Sequence, residues 1–474
     1  MSSPEQDIVF FTNSEHGQSN VALAVAGEFL RRGEFRVHIA SFSALAPRVQ
    51  SLNENTNYSS SAIFHTIPGP SLADIVLRDN VDLCHKPGLL GAIDGFRKMN
   101  TSILAYKPSE YIQNYRKCLE ILQELRPDVV VVDPVFHIAL DACRVFHAHT
   151  VILWPVPVKD VVITIQPNAG IFWKFPMTGS GYPFPIPWTL IPANIFLMFR
   201  LILDLGLGKP LRELLRFRKE ADIQHPFPLT QPYQKDYLHL TPAFPKMDFP
   251  LYIPDNVISC GPILRECPSF STSDPSLSAW LNKPTILISL GSHFQATESG
   301  AVEMTTGLGQ VFEKYPAMQI LWKLRYNWES SAKLRSLLGP LVDAGTLRVV
   351  EWLEPNIISV LNSGHIVAFV HHGGANSFFE ACKAGVPQVV LPQWLDTYDC
   401  AARVEWLGIG LYGSRSMAPS LNAVEFSETL LTIIQKEEIR AKARKIADLC
   451  ATTEGRVLAH DRIVQYAQRN RHED

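Results

Sequence analysis

Several familiar devices are missing from this 474-residue chain. Neither half opens with a glycine-rich dinucleotide fingerprint or a Walker lysine loop, which sets aside dinucleotide and ATP binding of the usual kinds. The eight cysteines are scattered without a C-x-x-C pair. They read as reduced thiols of an intracellular, cytoplasmic protein, with neither a disulfide framework nor a zinc site. A net charge of -3 supplies no global basic field for nucleic acid or an anionic surface. The opening residues, MSSPEQDIVFFTN, lack the basic leader of a secretory signal, so the first strand is expected to begin the fold. The polar end, IVQYAQRNRHED, suggests no membrane anchor.

What the chain does have is apolar pattern. Hydrophobic residues make up 46% of it, enough for two domains or three. IVFF at 8 to 11 reads as a strand, VALAVAGEFLRR at 21 to 32 as a helix, and VHIAS at 37 to 41 as a second strand, an opening βαβ unit. His16 falls in the turn between the first strand and its helix, where side chains face the crevice of a parallel sheet. Residues 50 to 100 read as loops and short helices. A helix over Tyr111 to Leu125 then leads into DVVVVD, whose β-branched run marks a strand buried on both faces and ended by Asp133. A second alternating series starts at TILISLGS, 285 to 292, and includes strands at 318 to 324 and 346 to 351 and helices around 424 to 450 and 456 to 468. The fold class is therefore α/β, with two Rossmann-like domains facing across a cleft. The boundaries read as 1–262, a linker at 263–284, 285–455, and a last helix at 456–474.

Between 154 and 192 the chain is rich in proline and aromatic residues. Two readings of it stand. It is a local aromatic cluster that packs loops, or an apolar pocket built from Trp154, Phe172, Trp173, Tyr182, Phe184 and Trp188. The next stretch, IPWTLIPANIFLMFRLIL at 186 to 203, nears the length of a membrane span but is interrupted by Pro187, Pro192, Asn194 and Arg200. A buried or interfacial helix pair is expected, with peripheral membrane contact left open.

The densest chemistry lies between Trp352 and Asp399. There an apolar strand runs into HHGG, a helix-compatible ANSFFEACKA follows, and Gly385 and Pro387 stop it before VPQVVLP. Strand, glycine turn, helix and strand place a helix N-terminus, with about half a positive charge, beside the carboxyl edge of a parallel sheet. Such an end suits phosphate.

The phrases HHGGANS (His371 to Ser377), AGVPQVVLP (Ala384 to Pro392) and DTYD (Asp396 to Asp399) resemble the nucleotide-sugar signature of the family 1 glycosyltransferases, the UDP-glycosyltransferases. Their wording is most similar to fungal small-molecule members serving secondary metabolism. SLGS and SGYPFPIPW add looser likeness. The resemblance implies the GT-B fold, with a C-terminal helix crossing back to the first domain. It implies that Trp352 stacks on uracil, that His372, Gly374, Asn376, Ser377 and Ser292 serve the diphosphate, that Glu380 accepts from ribose, and that Asp396 and Thr397 meet the sugar. It further implies His16 as general base, with Asp133 orienting its ring. Two positions depart from the family: Glu15 replaces a glycine before the base, and Thr397 replaces the glutamine common in glucose users.

The resulting expectation is an inverting, monomeric hexosyltransferase moving glucose from UDP to a hydroxyl of a small apolar acceptor, a terpenoid, polyketide or phenolic. No cofactor or metal is expected, because the chain has no D-x-D and neither His371–His372 nor His147–His149 has a third ligand at suitable spacing. Alternatives are a sterol or lipid glycosyltransferase at a membrane surface, a UDP-sugar epimerase or hydrolase, and a non-catalytic UDP-sugar-binding subunit.

Overall fold

The computed structural model describes residues 6–104, 106–267, 270–291, 294–353 and 356–471. Two parallel sheets organise them. The first contains β1 (Asp7–Phe11), β2 (Arg36–Phe42), β3 (Ile63–Ile67), β4 (Val129–Val132), β5 (Thr150–Leu153), β6 (Leu238–Thr241) and β7 (Val257–Ser259), in the order β3-β2-β1-β4-β5-β6-β7. The second contains β8 (Thr285–Ser289), β9 (Gln319–Lys323), β10 (Leu347–Val350), β11 (Ile366–His371), β12 (Gln388–Val390) and β13 (Gly410–Tyr412), in the order β10-β9-β8-β11-β12-β13. In each sheet the order in which strands are added reverses once, between β1 and β4 and between β8 and β11. Crevices open at such points, at the carboxyl ends of the strands.

Both sheets are covered on two faces, which explains their unbroken apolar strands. Val130 and Val132 of β4 pack with Ile121 and Leu122 on one side. Val129 and Val131 pack with Phe10 and Phe29 on the other. The helices that matter for the site are α1 (His16–Arg32), α2 (Gly88–Ile103), α3 (Ile191–Leu207), α4 (Lys209–Glu220), α5 (Ala375–Ala384), α6 (Leu395–Leu407) and α7 (Gly455–Asn470). Ala459, Ile463 and Ala467 of α7 belong to the core of the first sheet, so the end of the chain packs back on α1.

Several boundaries differ from the sequence reading. α1 begins at His16 rather than 21, since the polar turn HGQSN already has helical backbone. The stretch read as loops holds β3 and the sixteen-residue α2. The helix expected over 424 to 450 is two, Ala423–Gln435 and Glu437–Ala451, broken where Lys436 turns extended. Residues 408–413 spell G-x-G-x-x-G, yet Gly408 caps α6 at φ +66° and 410 to 412 form β13, so no strand-turn-helix phosphate loop results.

Candidate donor and catalytic site

The two switch points face each other. On one side α1 starts at His16, five residues past the end of β1, and Asp133 follows β4, the parallel neighbour of β1. On the other, β11 ends in His371, whose Nδ1 accepts from the Gly373 N–H at 3.1 Å and whose Nε2 meets Gln388 Oε1 at 3.0 Å. Burial pushes its pKa down to about 4, so the ring is neutral with both nitrogens engaged. Both bonds make His371 the brace of the glycine turn. The turn presents His372 between two glycines. A Cβ on Gly291 would lie 2.6 Å from the ring's Cε1, and one on Gly374 would lie 2.6 Å from Nε2. Nothing larger than glycine fits on either side of this imidazole.

Between the sheets lies a cleft of about 440 Å³, bordered by His16, Lys323, Trp352, His372, Glu380 and Asp396. The Trp352 ring is 45% exposed and open to a stacking partner. Its centroid is 5.8 Å from that of His16. The Asn376 amide of α5 donates to the His16 backbone carbonyl at 3.1 Å, tying the two halves together at the cleft floor. Lys323, at the end of β9, holds its Nζ 4.3 Å from the Trp352 ring centroid. Burial, with Arg325 adding, lowers its pKa to about 8. Burial raises Glu380 to about 8, against the opposing pull of Lys323. Arg48 and Arg265 also line the cleft, and burial brings Arg48 down to about 10. An open aromatic face, an imidazole and three basic side chains around a helix N-terminus suit an anion that carries an aromatic ring.

Comparison with known proteins agrees. A family model described as the C-terminal domain of erythromycin biosynthesis protein CIII-like proteins matches residues 331–454. The glycosyltransferase sdnJ of Sordaria araneosa is 35% identical over 498 residues, covering 96% of this chain and 97% of that one. The chain belongs to the family 1 glycosyltransferases. A 2-hydroxyacylsphingosine 1-beta-galactosyltransferase of Homo sapiens is 28% identical over 208 residues, which are 43% of this chain and 34% of that one. Among solved structures, CalG4, the calicheamicin glycosyltransferase, aligns over 98% of this chain and 99% of that one with TM-score 0.64 and 17% identity. Phytolacca americana UGT2, complexed with UDP-2fluoro-glucose and pterostilbene, aligns over 98% and 100% with TM-score 0.63 and 16% identity. At these identities the structures show the fold, GT-B.

In this glycosyltransferase a cluster of charged residues from both domains lies around the cleft-lining Asp396. Asp396 is raised to about 7 by burial, with the charges of Asp160 and Asp399 adding. Asp160, from the first domain, is raised to about 6 by burial. Asp399 is neutralised by Lys159 and accepts from Thr178 Oγ1 at 2.9 Å. Asp248 accepts from Arg403 Nε at 2.9 Å, again across the domains. Lys323, Asp160, Arg48 and Arg265 were not singled out from sequence. The first ends a buried strand and the others sit in loops or a short helix, where no spacing announces them.

The expected site residues fare unequally. Trp352, His372, Gly374, Asn376, Ser377, Glu380, Asp396 and His16 share the cleft. Asp133 is wholly buried behind it. Its Oδ2 accepts from Asn13 N at 3.3 Å and Asn13 Nδ2 at 3.2 Å, its Oδ1 from Val135 N at 2.9 Å, and burial raises its pKa to about 6. Glu15 does not face the site with both oxygens, because Oε1 accepts from the Ala73 N–H at 2.8 Å. Thr397 is fully buried, and its Oγ1 accepts from the N–H groups of Gln393 and Trp394 at 3.0 Å, so its hydroxyl caps α6. The six aromatic residues are not gathered into one pocket. Trp154 is buried and donates to His239 Nδ1 at 3.0 Å. Tyr182 is buried with Phe96 and Met198, and Phe172 packs on Phe199. Phe184 packs on Phe249 and Trp406, while Trp173 and Trp188 face solvent. Ser292 lies outside the described residues.

Proposed function

We propose that this glycosyltransferase transfers glucose, with inversion, from UDP-glucose to a hydroxyl of a small apolar acceptor. The observation that carries the reading is the convergence of Trp352, His372, Glu380 and His16 on one cleft, with Asn376 fastening the phosphate helix to the base. Uracil stacks on Trp352, the ribose hydroxyls donate to Glu380, and the diphosphate meets His372 and the N-terminus of α5. His16 takes the acceptor's proton as the oxygen attacks the anomeric carbon, and Asp133 steadies the loop that presents it. Charge building on the leaving UDP is met by His372 and the helix end, without a metal. The relatives' names support the class of chemistry: one acts on a sphingosine derivative, and one structure holds a UDP-glucose analogue beside pterostilbene.

The test is His16→Ala. Transfer is expected to fall by about 10² to 10⁴ while UDP affinity is nearly unchanged, measured by product formation and calorimetry. Near wild-type turnover would remove His16 from the chemistry.

A further inference from the structure

We propose that α3 is a membrane-docking helix that lies flat in the surface of an anionic lipid bilayer. Trp188, one turn before it, is 82% exposed, and Phe196, Phe199, Ile202 and Leu203 are each about half exposed. Positions 192, 196, 199 and 203 follow helical spacing, so these side chains form one outward stripe. An apolar stripe of this size on a soluble protein marks an interaction site.

The opposite face of α3 is committed to the protein. Leu197 and Met198 pack with Ala92 and Phe96 of α2. Asn194 is buried, accepting from Met177 N at 2.7 Å and donating to the carbonyls of Phe172 at 2.9 Å and Phe175 at 3.0 Å. The segment Trp188–Gly206 has the mean hydropathy of a span, 1.5. Crossing a bilayer would break those bonds and strand Asn194 in hydrocarbon, so the helix lies in the interface instead.

Three features select lipid as the occupant. The outward side chains of Phe196, Phe199, Ile202 and Leu203 carry no hydrogen-bonding group, whereas a protein interface makes about one hydrogen bond per 100–200 Å². Tryptophans stand at its margins, Trp188 at its start and Trp173 beside the Phe172–Phe199 pair, the placement of interfacial anchors. The next helix, α4, exposes Lys209, Arg212, Arg216 and Lys219 against Glu213 and Glu220, a local positive excess in a chain of net charge -3. Basic residues flanking an apolar stripe complement anionic headgroups. The buried face of α3 adjoins the cleft, because Leu395, the neighbour of Asp396, packs against the same cluster as Leu197 and Met198. On the function proposed above, acceptors dissolved in the bilayer reach the sugar end from this side.

The experiment is flotation of the full chain, without any sugar donor, on vesicles of phosphatidylcholine with and without phosphatidylserine. The protein is expected to float, more on the anionic vesicles. The triple variant Trp188→Ser, Phe196→Ser, Leu203→Ser should lower the bound fraction by about tenfold or more. Arg212→Glu with Lys219→Glu should abolish the preference for phosphatidylserine, and Val424→Ser, exposed in the second domain, should change nothing. Turnover with a soluble phenolic acceptor reports whether each variant is folded and reads the transferase function separately from docking. If the triple variant misfolds, loss of fluorescence quenching by brominated lipid in Trp188→Phe tests the same contact. A protein that stays at the bottom of the gradient, or a folded triple variant that floats like the parent, overturns the proposal. So does a dimer in sedimentation that the triple variant dissociates, which would assign the stripe to a second copy.

Discussion

Replacing Gly374 by alanine is the sharpest probe of the phosphate end of the cleft. Gly374 has φ -65° and ψ 144°, which alanine adopts without strain, so the start of α5 is preserved. The added methyl, however, falls 2.6 Å from His372 Nε2 and 2.7 Å from Cε1, roughly 0.8 Å inside an ordinary 3.4 Å contact. The His372 ring must therefore shift from its present position to admit the methyl. A catalytic group displaced by about 1 Å costs on the order of 10²-fold in rate. At 1.36 kcal/mol per factor of ten, that is about 2.7 kcal/mol of transition-state stabilisation. The loss should fall on kcat more than on KM, because the charge His372 meets grows as UDP leaves. Release of UDP from UDP-glucose in the presence of a phenolic acceptor measures both constants. Gly309→Ala is the control, since nothing lies within 4 Å of a Cβ there. If Gly374→Ala works within about twofold of the parent, His372 does not act from the position assigned to it.

Trp352→Ala should weaken UDP binding by about 1 to 3 kcal/mol, the worth of a base stacked on an aromatic side chain, while Trp352→Phe keeps most of it; calorimetry decides, and an unchanged affinity removes uracil from the ring. A pH effect follows from Glu380. Its folded pKa is raised from 4.5 to about 8 by burial, so the folded state binds the extra proton and stability is lost as pH climbs through that window. Lys323, lowered to about 8, acts with the opposite sign only above that value. Melting temperatures of the ligand-free protein should therefore fall between about pH 5 and 8, and Glu380→Gln should shrink the fall. An equal fall in that variant would show that the burial of Glu380 is not its cause.

Much of the fold could be read because burial on two faces leaves a plain mark. VVVV of β4 and the ILI within TILIS of β8 are unbroken apolar runs, and both belong to central strands. What escaped notice had mixed patterning. In IFHTI of β3, only Ile67 is fully buried, and His65 faces His38 at 2.8 Å, so the strand reads as polar loop. GLLGAIDGFRKMNTSI of α2 carries three glycines that depress helix propensity, and it is held by packing on α3 that no local pattern reveals. The aromatic segment misled in the other direction. Its rings are spent separately, on His239, on the α2 and α3 cluster, and on solvent, because the prolines between them turn the chain too often for one wall to form.

The same contrast runs through the site. His372 to Glu380 was legible since one turn and one helix carry all of it, and local spacing fixes which side chains share a face. The sugar end has no such unit. Asp396 comes from the second domain and Asp160 from the first, and only the docking of α6 on the short helix after β5, Val158–Val162, brings their charges together. Lys159–Asp399 and Asp248–Arg403, both buried and both crossing the domains, hold that docking. Each pair costs desolvation that its partner must offset, so removing one member strands a charge and loosens the contact between domains. Thr397, the residue whose identity would have been read for sugar choice, is turned inward as a cap. What the fold sets at this end of the cleft is Asp396, raised to about 7 by burial with the charge of Asp160 from the other domain adding, an arrangement that no local spacing in the sequence could announce.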